Sequence, residues 1–259
     1  MKIQYAKAEA GISELSPRYD DHKFSDVDIL FYLYETRPEA IAAMLPPPLE
    51  PMNPPIVTMN SWSLAGSNTL SPFTGSAIFI PCKYNKVQGA YCIHAAINAG
   101  WDILFGSEII AASEKDAKTK HVREGSRISV HVERRGKEYI TILGELYEPA
   151  NIIELAKELN VFFFKYIPVH GGSCAESDPI LMRTHFNVRY NSLEKGRGEI
   201  KYSVSDQDVL KELNCLKPVA FLHGNMDIRY KTELIATVPV KEFLPYAAGK
   251  PDNFELSIK

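Results

Sequence analysis

Residues 127–133 constrain the fold most strongly, because polar and apolar side chains alternate strictly along them. A period of two is typical of a strand with one buried and one exposed face. Arg135, Gly136 and Lys137 follow as a turn, and residues 139–146 return as a second apolar run. This arrangement predicts a β-hairpin inside a β-rich fold.

The rest of the chain predicts more strands than helices. Prolines and apolar periodicity predict three short helices, at 38–45, 152–159 and 206–213. Apolar and β-branched runs predict further strands at 27–34, 76–81, 90–99, 180–190 and 230–239. We therefore expect one α+β, mostly β domain over residues 25–259, preceded by an N-terminal arm at residues 1–24.

Composition excludes several classes of function. The 259 residues are 45% hydrophobic with a net charge of -3, so we expect a sizeable core and no nucleic-acid partner. No apolar run reaches the ~18 residues of a membrane span, and the first residues lack a signal-peptide core. The four cysteines are far apart, without metal-ligand spacing. We expect a cytoplasmic protein with no metal and no membrane partner.

A cluster of lysines and carboxylates over residues 114–120 is the main candidate for chemistry. An apolar run ending at Phe105 precedes it. A lysine amine attacks carbonyl carbons only when burial or a neighbouring cation lowers its pKa from ~10.4. The alternative interpretation is a solvated charged loop, since clusters of this kind are often exposed.

Four segments, in this order and spacing, resemble the acetoacetate decarboxylase family between about residues 23 and 246. A proline-rich turn at 46–50 follows the first predicted helix, and Gly89 and Tyr91 match a central hairpin at 85–91. A Gly-Ser-Glu triplet at 106–108 resembles the family's Gly-Arg-Glu motif. An aromatic segment at 163–168, followed by glycines, is similar to the one after the family's helix.

The resemblance implies a single-domain, cone-shaped antiparallel β-barrel that assembles as a homo-oligomer. It also implies a carboxy-lyase without a cofactor, in which a lysine forms a Schiff base with a small β-keto acid. This family is itself the known case of a lysine activated by a neighbouring cation. Some relatives run other reactions on keto acids, so the chemistry follows less firmly than the fold.

The chain departs from the family pattern where the nucleophile belongs. The pattern has two adjacent lysines about seven residues after the glutamate that Glu108 matches. A gapless count gives Glu114 and then Lys115. A carboxylate cannot form an imine.

Other positions of the family's pocket depart as well. Ser107 replaces the arginine of the motif, and Val27 and Gly75 fall where the pocket's arginine and glutamate are expected. Asn60 falls near a further carboxylate position.

Two hypotheses follow. In the first, Lys115 is the imine-forming nucleophile of a decarboxylase, Glu108 orients it and Glu114 handles protons. In the second, no Schiff base forms, and Glu108, Glu114 and His94 serve an isomerase, cyclase, hydrolase or non-catalytic binder. An adjacent carboxylate raises a lysine's pKa and so works against the first hypothesis.

We expect the substrate, a small keto acid or related carbonyl compound, to contact three further residues: His94, Asn60 and Phe105. The imidazole of His94 titrates near neutral pH and suits a general base. A histidine within an apolar strand is also typical of a hydrogen-bonded core residue, and that alternative stays open.

Overall fold

The computed structural model describes residues 22–65, 67, 72–99, 111–112, 114–152, 156–169, 174–205 and 208–247. Strands dominate these described residues, and the twelve strands found there belong to one sheet. In chain order they are β1 (His22–Glu35), β2 (Glu50–Pro51), β3 (Ile56–Leu64), β4 (Phe73–Tyr84), β5 (Val87–Ile97), β6 (Glu114–Asp116), β7 (Lys118–Glu124), β8 (Arg127–Arg134), β9 (Lys137–Pro149), β10 (Glu158–Lys165), β11 (Ile180–Tyr202) and β12 (Lys217–Thr237).

Two α-helices and one short 3₁₀ helix complete the described part of the chain. They are α1 (Pro38–Met44), the 3₁₀ helix Val209–Glu212, and α2 (Val240–Ala247). Pro38 opens α1, where its fixed φ angle suits a helix and its missing N–H costs nothing. Neither α-helix has the length and apolar character that crossing a bilayer requires, as far as the described residues go.

Seven strands close into a barrel. Their order is β10-β5-β4-β3-β1-β12-β11, and a further pairing of β10 with β11 completes the ring. The pairing of β10 with β5 is parallel, whereas the other ring pairings are antiparallel. The prediction of a mostly β fold with a cone-like barrel is confirmed, and the parallel pairing is an addition to it.

The main hydrophobic core lies outside this ring. Strand β11 runs on past the barrel and pairs with β9, which pairs with β8 and then β7. Fully buried side chains of β1, β4, β8 and β9 meet between the two layers, among them Leu30, Ile78, Val130 and Ile142. One face of the barrel wall is therefore packed against a second layer, and the other face surrounds the barrel interior.

Several predicted elements are correct, and the hairpin at 127–146 turns at Arg135 and Gly136 as expected. The helix at 152–159 is wrong at its end, because residues 158 and 159 open β10. Burial on both faces of that strand explains its apolar run: Phe162 packs in the main core and Phe163 in a second cluster. Residues 153–155 lie outside the described residues, as do residues 1–21 of the predicted arm.

The charged segment at 114–120 is not a loop. It forms β6 and the start of β7, with Ala117 buried between them. The last strand is followed by α2, which the sequence did not predict because Pro245 lies inside it. The helix predicted at 206–213 is the 3₁₀ helix over its described part.

Candidate functional site

The interior of the barrel holds a cavity of about 560 Å³. Alternate residues of the ring strands point into it, since successive side chains of a strand face opposite sides. The lining is mostly apolar and aromatic, and includes Val27, Ile29, Phe31, Trp62, Phe79, Val161, Phe163, Phe186, Val188, Met226 and Ile228. Its size falls in the usual range for small-molecule sites, ~300–1,000 Å³.

Two polar side chains stand at the ends of one row across four strands. The register pairs Asn60 of β3 with Ala77 of β4, Ala77 with Ala95 of β5, and Ala95 with Glu114 of β6. All four residues line the cavity. Because the two middle residues are alanines, the wall between the amide and the carboxylate leaves room for a ligand.

Glu114 is the acid placed within the apolar part of this wall. Its Oε2 atom is shielded from solvent. The other acid among the described lining residues, Glu158, is exposed at the start of β10. None of the described lining residues is a lysine, arginine or histidine. Among the described residues, the shielded charge on the cavity wall is therefore that of the Glu114 carboxylate.

Tyr230 of β12 is the polar aromatic residue near this carboxylate. Burial raises the pKa of its phenol, and the negative charge of Glu114 raises it further. The hydroxyl therefore keeps its proton at neutral pH and can donate a hydrogen bond. The ring stacks on His22 with 4.6 Å between centroids and is flanked by Phe24 and Phe186, so its position is well fixed.

Lys115 lies on the opposite face of β6 from Glu114. Its register partner is Ala96, which belongs to the main core. Its Nζ atom lies 3.5 Å from Nδ1 of His94, and Nε2 of His94 lies 2.9 Å from the hydroxyl of Tyr139. An ammonium can only donate, so Nδ1 accepts and Nε2–H donates to the Tyr139 oxygen.

His94 is held neutral in this setting. Complete burial lowers its pKa well below the usual value, and the charges of Lys115 and Arg134 lower it further. It packs edge-on against Tyr139, with 5.6 Å between ring centroids. This is the alternative interpretation of His94, a hydrogen-bonded core histidine, and its side chain does not line the cavity.

A β-bulge explains why simple alternation misplaces His94. Cys92 lines the cavity, and an unbroken strand would bring His94 to the same face. Between Cys92 and His94 the register with β4 shifts by one residue, which leaves Ile93 as the extra residue. The bulge reverses the alternation, so Ala95 rather than His94 faces the cavity.

Two positions that the family resemblance marked as charged are apolar in this wall. Val27 lines the cavity directly. At Gly75, an added Cβ would come within 2.5 Å of Cζ2 of Trp62 and 2.8 Å of Cγ2 of Ile97. The indole of Trp62 therefore occupies the space that a side chain at position 75 would need.

The structure brings two of the six predicted site residues, Glu114 and Asn60, to the cavity, and it places Lys115 and His94 together on the other face. Glu108 and Phe105 lie outside the described residues. Sequence reasoning missed Tyr230 and Trp62, which lie within strands and belong to no motif. Only the order of the strands around the ring brings Tyr230 toward Glu114.

Fold and cavity together define a class of protein, a β-barrel that encloses a largely apolar cavity of small-molecule size. Comparison with known proteins narrows this class. The sequence profile described as acetoacetate decarboxylase (ADC) matches residues 5–238. The chain therefore belongs to the acetoacetate decarboxylase family.

Individual relatives are distant. An acetoacetate decarboxylase of Burkholderia multivorans (strain ATCC 17616 / 249) is 26% identical over 174 residues, 65% of this chain and 70% of the relative. The crystal structure of acetoacetate decarboxylase from Legionella pneumophila superposes with a TM-score of 0.77 at 19% identity, covering 92% of this chain and 99% of the other. The enduracididine biosynthesis enzyme MppR, complexed with pyruvate, gives 0.69 at 13% identity, covering 84% and 90%. The two structural matches show a shared fold.

Proposed function

We propose that this protein binds a largely apolar carbonyl compound inside the barrel and acts on it by acid–base chemistry at Glu114, without a Schiff base. The observation that carries the proposal is the placement of Glu114 on the cavity wall and of Lys115 on the other face. A carboxylate can accept and return a proton, but it cannot condense with a ketone.

Family membership supports a small carbonyl compound as the ligand, and a structural neighbour has been solved with pyruvate. The cavity supports a more apolar molecule than a short keto acid. A keto acid carries a carboxylate, which favours a cationic partner. The described lining offers no lysine, arginine or histidine for that role, and Glu114 would repel the anion.

The simplest reaction that this wall supports is enolisation. The carboxylate of Glu114 takes a proton from the carbon next to the carbonyl, that C–H bond breaks, and its electrons move to the carbonyl oxygen. The protonated phenol of Tyr230 or the amide of Asn60 donates a hydrogen bond to that oxygen. Return of the proton to the same or a different carbon completes an exchange or an isomerisation.

The Schiff-base decarboxylase remains the competing mechanism. It needs the amine of Lys115 at the reacting carbon, and this amine lies beside the neutral imidazole of His94, across β6 from the cavity. The half-buried position of Lys115 beside His94 supports a structural role for this lysine. The geometry therefore favours the imine-free hypothesis.

Hydrogen exchange in D₂O tests the proposal whatever the final product is. The protein is incubated with a panel of neutral ketones and with acetoacetate, and loss of α-proton signals and release of carbon dioxide are followed by NMR. We expect exchange with at least one ketone, at least a hundredfold loss in Glu114→Gln, and retention in Lys115→Met. Retention in Glu114→Gln with loss in Lys115→Met would overturn the proposal.

A second experiment, protection of a cysteine from alkylation, distinguishes a binding protein without turnover. Cys92 lines the cavity, so a bound ketone should protect its thiol from N-ethylmaleimide. Cys174 is exposed and serves as the internal control. Protection of Cys92 without α-proton exchange would assign a binding protein and would contradict the catalytic part of the proposal.

We also propose that the chain assembles as a homo-oligomer, as the resemblance implies. Exposed apolar side chains, including Tyr147, Leu216 and Leu234, support this. Light scattering coupled to size-exclusion chromatography measures the mass, and a monomer at micromolar concentration would contradict it.

A further inference from the structure

A second cluster of functional side chains lies away from the cavity, where β7 passes β1 and β12. Asp28 of β1, His121 of β7 and His223 of β12 each offer one ligand atom, and these atoms lie within 4.8 Å of one another. Asp28 follows Val27 in the strand and therefore points to the opposite face from the cavity. Nothing in the acid–base chemistry proposed for Glu114 uses these three residues.

His121 is the residue that most needs an explanation. Both of its ring nitrogens are shielded from solvent, and neither has a hydrogen-bond partner among the described residues. Buried polar atoms are nearly always hydrogen-bonded or bound to an ion. An imidazole with both nitrogens shielded in this way, facing a carboxylate and a second imidazole, is well placed to donate a lone pair to a metal.

His223 and Asp28 converge on the same point. Nε2 of His223 lies 2.7 Å from Oδ1 of Asp28, a distance that fits an ion pair, but the pair lacks the geometry of a hydrogen bond. The His223 side chain is 5% exposed and that of Asp28 is 53% exposed. The cluster is therefore buried on its histidine side and open to solvent on its carboxylate side.

Arg123 and Glu194 complete the surroundings. Nη1 of Arg123 lies 3.3 Å from Nδ1 of His223 and 2.6 Å from Oε2 of Glu194. Because arginine only donates, Nδ1 accepts in this arrangement and the proton of His223 is on Nε2. A metal ion bound to Nε2 would replace that proton, and the neutral imidazole would then carry its proton on Nδ1. Arg123 would keep its ion pair with Glu194.

The charges agree with a divalent cation. If both imidazoles are neutral, the formal charges of Asp28, Glu194 and Arg123 sum to -1, and a divalent ion brings this sum to +1. Two imidazoles and one carboxylate are a ligand set that zinc accepts, with a further position left for water. The exposed side of Asp28 provides access for that water.

We propose that Asp28, His121 and His223 bind one divalent first-row transition-metal ion, with zinc as the best match, and that the ion ties β7 to the barrel wall. Because β7 is the last strand of the hydrogen-bonded order, it pairs along that order only with β8. The ion would hold it to β1 and β12 through side chains. This inference does not depend on the function of the cavity.

Calorimetric titration tests the site in full-length protein purified without a histidine tag and treated with EDTA. We expect one Zn²⁺ per chain, and a loss of affinity of more than tenfold in His121→Ala. The matched control is His131→Ala, which removes a histidine of the neighbouring strand β8 that pairs with Glu138; it should bind zinc as the natural protein does. Equal affinity in both variants, or no binding by the natural protein, would overturn the proposal.

Cobalt provides a second measurement on the same proteins. Co²⁺ bound by two imidazoles and a carboxylate should give visible absorption bands that are absent in Asp28→Asn. Asp28 is half exposed, so this variant tests the site even if substitutions at buried His223 prevent folding. Unchanged bands in folded Asp28→Asn would contradict the assignment, whereas unchanged zinc affinity in Glu114→Gln is expected because the cavity is separate.

Discussion

Glu114 and Lys115 are adjacent in the chain, and their side chains leave β6 on opposite faces. Glu114 borders the cavity inside the barrel, and Lys115 lies 3.5 Å from Nδ1 of His94 on the face of the main core. In an extended strand, a one-residue offset decides which side chain meets the ligand. The central claim about function depends on this relationship.

Burial of His94 makes the stability of the fold depend on pH. In the unfolded chain, His94 titrates near ~6.5, whereas burial and then the charges of Lys115 and Arg134 hold its folded-state pKa well below that value. Between the two pKa values the unfolded chain binds more protons, so the stabilising effect is complete above pH ~6.5 and is lost as the pH falls.

Urea unfolding at pH 7.5 and pH 5.5 checks this effect. A proton that binds only to the unfolded chain lowers the free energy of unfolding by about 1.4 kcal/mol for each pH unit below the pKa of the unfolded state. We therefore expect the drop in unfolding free energy between the two pH values to be smaller by about 1 kcal/mol in His94→Gln than in the natural protein. His121, whose pKa burial also lowers, contributes to the remaining loss. The same pH dependence in His94→Gln would contradict a neutral, buried His94.

Two adjacent alanines of β5 provide a pair of substitutions for which we expect opposite effects. Ala95 lines the cavity between Asn60 and Glu114, whereas Ala96 is fully buried in the main core. Ala95→Leu should fill the cavity, so that the ketone 2-nonanone no longer protects the thiol of Cys92 from N-ethylmaleimide. The same substitution should change the free energy of unfolding little. Ala96→Leu should instead destabilise the fold by about 1–3 kcal/mol through overpacking.

Chemical labelling and urea unfolding of the two variants provide the measurements. Each variant is the control for the other, because the same side chain is added at adjacent positions of one strand. If Ala95→Leu binds the ketone as before, the ligand does not occupy the row that joins Asn60 to Glu114.

Strand β5, which carries Ala95 and Ala96, also shows how much of the fold and of the site could be predicted from the sequence. Alternation and turns predicted most strands, and the family motifs indicated the barrel, because both depend on short-range patterns. The faces of residues 92–95 could not be predicted, because a bulge opposite Ile78 reverses the alternation there. Glu114 and Lys115 were both recognised as candidates, but strand direction and register were needed to distinguish them.

Gly75 and Trp62 lie so close together that we expect substitutions at the two positions to have non-additive effects on stability. A Cβ at position 75 would lie 2.5 Å from the indole, which is closer than van der Waals contact. Gly75→Ala should therefore destabilise the protein by about 1–3 kcal/mol. In the background of Trp62→Leu the same change should cost less, by about 1 kcal/mol or more, as measured by urea unfolding in a double-mutant cycle. Additive effects would contradict the predicted collision.

The most direct test of the central claim is borohydride trapping with the neutral ketone 2-nonanone, followed by peptide mass mapping. An imine between a lysine and the ketone is reduced to a stable adduct, and Glu114→Lys places an amine where the natural chain has a carboxylate. We predict no adduct on Lys115 of the natural protein, and an adduct at position 114 in Glu114→Lys. A ketone adduct on Lys115 of the natural protein would contradict the account.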